Sequence, residues 1–263
     1  MFHAMSRGPR RDRLPPVSEV YDVILPAGGT LDDHFAKVAL TPVKALIRTG
    51  DNLLIFRALE ALRLSGRSGR IVVVGGAEVK KAMEGRVDAI VPAGPSLPDN
   101  ILKGLKELLA MENPPQRLLI VTTDLAYIDD KVLAKWLDTC PPGADFCGAL
   151  VDRVAYEDRF PGSSSTWVKL ADGHFTLGGV FLVKTDALRR AMPQIERVVA
   201  QRKSVRGMAG LLGFGFLIKV MTRRITVAEC EAKVEEILGA KVSAVPDAPP
   251  ELAFDVDDIE DYE

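Results

Sequence analysis

Apolar runs and helical spacings alternate along most of this chain. "YDVILPAGG" is apolar up to two glycines, which predicts a strand stopping at a tight turn. "LLIFRALEALRLSG" carries apolar residues at helical spacing and ends on Gly66, a normal helix stop. "RIVVVGG" is a continuous β-branched run, as a strand buried on both faces requires. "DNILKGLKELLAME" predicts an amphipathic helix, "RLLIVTTDL" another buried strand, "DDKVLAKWLDTC" the helix after it, and "ADFCGALV" a further strand. This order predicts parallel strands with helices on both faces.

The second half reads differently. "STWVKLADGHFTLGGVFLVK" predicts two short strands around an Asp-Gly turn, with the pair Gly178-Gly179 in the second. Helical patterns run from Asp186 to Val199, from about Val205 to Met221, and from Val227 to Leu238. A short strand, a proline-rich loop and an acidic stretch follow. No repeat or long linker interrupts residues 20–263, so a single domain is expected there. Its halves divide near residue 150.

Composition narrows the function. The chain has 263 residues, 47% of them hydrophobic, and a net charge of −2. That suits a globular protein with a sizeable core. The balance argues against a nucleic-acid partner, which usually demands a basic face. The longest apolar stretch, Leu211 to Val220, holds glycines and Lys219 and is too short to span a bilayer. Cys140, Cys147 and Cys230 form no CxxC pair, which predicts free thiols and a reducing, cytoplasmic setting. The first twenty residues hold four arginines and three prolines but no apolar run, so residues 1–19 are expected to be a disordered basic tail.

In parallel sheets ligands collect at the carboxyl ends of strands. Three such ends matter: Ala27-Gly28-Gly29, Gly75-Gly76 and Thr122-Thr123-Asp124. A glycine loop lets backbone amides approach phosphates, having no Cβ in the way. Lys44 follows a polar, irregular stretch with Asp32, Asp33 and His34, and is placed to fold back over that loop as a point charge. The plain alternative is a glycine turn and a surface lysine. Asp124 is of the kind that holds a divalent cation against phosphates, or else caps the next helix. A second carboxylate would come from "AFDVDDIEDYE", where strand alternation puts Asp255 and Asp257 on one side and Asp258 on the other. Asn100 opens a helix after "GPSLPD", either as a ligand contact or as a cap.

These residues resemble the nucleotidyltransferase superfamily with a MobA-like NTP transferase domain. Its L-x-A-G-G start matches Leu25 to Gly29, its lysine Pro42-Val43-Lys44-Ala45-Leu46, its central Asp motif "TTDLAYI", and its late acidic motif "DVDDIEDYE". A narrower bacterial branch is matched by Arg159 to Gly179 and by Arg202-Lys203-Ser204. The sequence departs from it at Ser165 and Val180, and only Lys37 stands near the usual loop arginine. The resemblance implies an α/β fold with a mixed, mostly parallel sheet, Rossmann-like and of the GT-A, nucleotide-diphospho-sugar transferase type. It implies nucleotide contacts at Leu25, Ala27, Gly28, Gly29, Gly75 and Asn100, catalysis by Lys44 and Asp124, and Mg²⁺ (or Mn²⁺) on Asp124 and Asp257. Gly178, Gly179, Arg202 and Lys203 would face a small-molecule acceptor, with an NTP or sugar nucleotide as the other partner. A glycosyltransferase of related fold, which would prefer a D-x-D at the central strand end, and a silent nucleotide-binding relative are the alternatives.

Overall fold

The computed structural model describes residues 19–163, 165–201 and 204–262. The basic tail therefore lies, but for Glu19, outside the described residues, as do Arg202 and Lys203. In the first half come β1 (Tyr21–Ala27), α1 (Asp33–Ala39), the short hairpin β2 (Arg48–Thr49) and β3 (Asn52–Leu53), α2 (Leu54–Leu64), β4 (Ser68–Gly75), α3 (Ala77–Met83), β5 (Ala89–Pro92), α4 (Leu97–Ala110), β6 (Arg117–Val121), α5 (Asp130–Thr139) and β7 (Phe146–Asp152). In the second come α6 (Arg153–Arg159), β8 (Val168–Leu170), β9 (Gly173–Lys184), α7 (Thr185–Gln201), α8 (Val205–Leu212), α9 (Phe214–Met221), α10 (Val227–Leu238), β10 (Val242–Val245) and α11 (Ile259–Tyr262).

Eight strands make one sheet in the order β10-β7-β9-β6-β1-β4-β5, with β8 paired to β9. The pairs β1–β4, β1–β6, β4–β5 and β7–β10 are parallel. β9 runs antiparallel to β6 and β7. The sheet is thus mixed and mostly parallel. The buried stretches of its central strands, β1, β4 and β6, are continuously apolar because successive residues serve two cores. Val23, Leu25, Val73, Leu119 and Val121 pack with Leu54, Ile55 and Trp136 of α2 and α5. Ile24, Val72, Val74, Leu118 and Ile120 pack with Leu105 and Leu108 of α4 and with Leu188 and Met192 of α7.

The structure adds α3, β5 and α6 to the expected elements, extends the second of the two expected short strands to the 12 residues of β9, and departs from the sequence pattern in three further places. The stretch expected as an irregular loop contains α1. Asp32 starts it, its carboxylate accepting from the backbone N–H of His34 and of Phe35, and Phe35 and Ala39, four apart, are buried on one face. The helix expected from Val205 to Met221 breaks at Gly213, whose φ of 83° only glycine adopts freely, into α8 and α9. And "ADFCGALV" does not join the first parallel set, because β9 lies between it and β6. The three cysteines are free, and no helix among the described residues is long and apolar enough to cross a membrane.

Candidate active site

β1, β4, β5 and β6 are parallel and end along one sheet edge. β9, running the other way, brings its middle to that edge, where Val180 pairs with Val121. A cleft of about 740 Å³ opens there.

One wall is the loop after β1. Lys44 is set by that loop: its N–H donates to the Gly29 carbonyl at 3.0 Å, and the Leu31 N–H donates to the Pro42 carbonyl at 2.9 Å. Behind the glycines stands Asn100, 4% exposed, whose Oδ1 accepts from the Gly94 N–H at 2.7 Å. A Cβ on Gly28 would lie 2.5 Å from Asn100 Nδ2, so that position has no room for a side chain. Asn100 is not a cap. α4 starts at Leu97, with Ser96 accepting from the Asp99 N–H, and Asn100 sits inside the first turn, holding the Gly94 loop against Gly28.

The opposite wall is acidic. Beyond β6, the Val256 N–H donates to the Asp124 carbonyl at 3.1 Å and the Ala126 N–H to the Phe254 carbonyl at 3.2 Å. That short ladder lays residues 254–257 beside Asp124. Phe254 and Val256 are buried, Phe254 against Tyr127 and Phe160 at ring-centroid distances of 4.8 and 4.7 Å. Alternation then points Asp255 and Asp257 the other way, into the cleft. Carboxylate oxygens of Asp124, Asp255 and Asp257 lie within 4.8 Å of one another. Asp258 stays out of this group, its Oδ1 accepting from the Asp261 N–H at 3.0 Å.

Lys44 crosses the cleft to this cluster. Its Nζ donates to Asp124 Oδ2 at 2.7 Å and to Asp257 Oδ1. Burial alone would lower the Lys44 pKa, but the two carboxylates outweigh it and hold the ammonium above its ordinary value. Burial, with Asp257 and Asp124 nearby, pushes the Asp255 carboxyl up to about 7. Asp124 Oδ1 is buried with no hydrogen-bond partner among the described residues.

The raised Asp255 value has a stability consequence. Between its unfolded value near 3.8 and about 7, the folded, metal-free protein binds the extra proton. Stability from this group is therefore present at low pH and is lost as pH rises through about 7. Asp255→Asn in chelator should melt higher than the parent at pH 8, with the gap much narrower at pH 5. Equal melting temperatures at both pH values would show that Asp255 is not held in this state.

The cleft thus brings together Gly28, Gly29, Lys44, Asn100, Asp124, Gly178, Gly179 and Asp257 from the sequence expectation. Three expected nucleotide contacts do not line it. Leu25 and Ala27 are buried in the core beneath, and Gly75 is covered by Val79, whose Cγ1 would stand 2.5 Å from a Cβ there. The expected acceptor residues Arg202 and Lys203 lie outside the described residues. Gly178 and Gly179 have a packing reason of their own: a Cβ would meet the Leu252 carbonyl oxygen at 2.5 Å or Thr122 Oγ1 at 2.1 Å. Asp255, on sequence grounds only a competitor to Asp257, joins the cluster beside it. Its signal is the alternation Phe254-Asp255-Val256-Asp257. Phe181, Leu97 and Val199, which add apolar lining, carry no sequence signal.

The sequence matches no protein-family model and no curated protein. Solved structures do match. A structure from Thermus thermophilus described as a hypothetical transferase is 29% identical, with a TM-score of 0.82, and the match covers 93% of this chain and 100% of that one. A nucleotidyl transferase from Methanothermobacter thermautotrophicus is 17% identical at a TM-score of 0.50, covering 92% and 94%. A 4-diphosphocytidyl-2C-methyl-D-erythritol synthase from Anaerococcus prevotii is 11% identical at 0.51, covering 93% and 95%. With its sheet order and this likeness over nearly the whole described chain, the protein has a nucleotidyltransferase-like fold.

Proposed function

We propose that the protein is a nucleotidyltransferase that uses a divalent cation, moving a nucleoside monophosphate from an NTP to a small-molecule acceptor and releasing pyrophosphate. The observation that carries this reading is the meeting of Lys44 with three carboxylates across a cleft from the Gly28-Gly29 loop. The proposal extends to the MobA-like branch of the fold, to residues 20–263 acting as one unit, and to a reducing cytoplasm suited to three free thiols.

Each residue has a physical task. At Gly28 and Gly29 the absence of Cβ lets the backbone lie against phosphate oxygens. Asn100 fixes the neighbouring Gly94 loop, which makes it a positioning residue for the nucleotide end of the cleft. Lys44, kept charged by its neighbours, neutralises negative charge as it builds on the phosphates. Asp124, Asp255 and Asp257 would hold the cation: an all-oxygen donor set suits Mg²⁺ or Mn²⁺, and Asp124 Oδ1 is a buried acceptor in need of a partner. When bound, such an ion supplies Lewis-acid neutralisation of the triphosphate. An acceptor oxygen, entering past Leu177, Gly178 and Phe181, then bonds to the α-phosphorus while the bond to the β-phosphate oxygen breaks. Most of the catalysis is positioning.

The test combines binding with product analysis. With Mg²⁺, one of the common NTPs should raise the melting temperature, since a ligand at a hundredfold excess over Kd contributes about 2.7 kcal/mol. That NTP should then release pyrophosphate when phosphorylated and hydroxylated small molecules are supplied. Sugar transfer from a sugar nucleotide without pyrophosphate would replace the reading with a glycosyltransferase. No shift with any nucleotide would remove it.

A further inference from the structure

From Gln201 to Arg224 the sequence holds six Lys or Arg residues and no Asp or Glu, in a chain whose net charge is −2. α8 and α9 occupy most of that stretch, meeting at Gly213. α9 is apolar on more than one side and has no buried residue. Its inner side rests on α10, where Lys219 Nζ donates to Glu229 Oε1 at 2.6 Å and Lys233 lies over the Phe216 ring. Its outer side is uncovered by any of the described residues. Phe214, Ile218 and Met221, spaced as one helical stripe, are 75%, 45% and 82% exposed. Arg223 and Arg224 follow directly, both exposed and in no ion pair among the described residues. A helix apolar on several sides, left uncovered, calls for an apolar partner.

Charge decides among the occupants. A nucleic acid would pair with the arginines but leave the Phe214, Ile218 and Met221 stripe without a match. A second copy docked stripe to stripe would set Arg223 and Arg224 against their own counterparts. An anionic bilayer satisfies both properties, taking apolar side chains at the acyl boundary and cations at the lipid phosphates. We propose that α9 docks this protein on an anionic lipid surface, with Phe214, Ile218 and Met221 entering the headgroup boundary and Arg223 and Arg224 facing lipid phosphates. In sequence the stripe follows the cleft closely: Val199, near the end of α7, lines the cleft, and α9 begins at Phe214.

The full chain is tested by co-sedimentation with phosphatidylcholine vesicles, with and without phosphatidylglycerol. Binding should need phosphatidylglycerol, weaken with salt, and be lost in the double variant Phe214→Asp, Met221→Asp. Arg223→Glu with Arg224→Glu should weaken it at least about tenfold, each cation near such a surface being worth about 1 kcal/mol. Both variants change exposed side chains, so melting temperature and nucleotide-induced shifts should match the parent; these controls separate a docking failure from a failure of the proposed activity. Parent-like binding by either double variant would overturn the proposal. So would no vesicle binding by the parent, whether the stripe instead buries itself in a dimer seen by ultracentrifugation or is captured only by heparin as a generic polyanion.

Discussion

Asp124→Asn is expected to slow nucleotidyl transfer by about a hundred- to a thousandfold, the scale on which loss of a preorganised electrostatic group acts, in a protein that stays folded. The main-chain bond from Val256 to the Asp124 carbonyl does not involve the side chain, so the ladder that positions Asp255 and Asp257 survives. The amide has the carboxylate's shape. What disappears is charge on two oxygens, one bonded to Lys44 and the other buried without a partner. Mn²⁺ affinity, read by titration without substrate, should fall in parallel. A rate within tenfold of the parent would take Asp124 out of the chemistry; a normal rate with lost Mn²⁺ binding would instead detach the cation from the reaction.

Lys44→Ala should lose transfer as well, and it should expose the electrostatic strain that Lys44 relieves. Without the ammonium, three carboxylates with oxygens within 4.8 Å are left uncompensated. The Lys44–Asp124 pair is well shielded, with side chains 17% and 20% exposed, whereas Asp257 at 66% counts for little. Breaking the shielded pair should cost about 2–3 kcal/mol, or roughly 5–10 °C of melting temperature in chelator at pH 8. At pH 5 the loss should shrink, because Asp255 is by then protonated in either protein. Mg²⁺ or Mn²⁺ should restore the melting temperature but not the transfer rate. Recovery of rate with stability would mean that Lys44 is only a counter-ion.

Much of this arrangement is legible in the amino-acid pattern. β1, β4 and β6 declare themselves because strands buried on both faces must be apolar in their buried stretches, and α10 because helical spacing runs from Val227 to Leu238; the structure adds a capping box of Thr226 and Glu229 at its start. Lys44 and Asp124 stand out because each directly follows a recognisable strand or loop. Other features depend on tertiary context. α1 is seven residues long with two buried side chains, too little for periodicity to stand out, although Asp32 is a usable cap signal. The insertion of β9 between β6 and β7 is a choice of partner, and local pattern carries no partner information. Leu25, Ala27 and Gly75 belong to the motif surroundings but serve packing, a distinction that rests on which atoms face the cleft.

The antiparallel β9 also sets a timetable for synthesis. β6 has β1 on one side and only β9 on the other, with Val121 paired to Val180. The chain leaves the ribosome from its N-terminus at about 5–20 residues per second, and 59 residues (180 minus 121) separate these partners, so the apolar edge of β6 waits roughly 3–12 s for its cover. An uncovered strand edge is a template for wrong pairing throughout that interval. The carboxylates of Asp255 and Asp257 emerge later still, 131 and 133 positions after Asp124 (255 and 257 minus 124). In the nascent chain β9 is made before Asp255 and Asp257, so the complete acidic cluster cannot take part in a pairing of β6 with β9 that forms as soon as β9 appears.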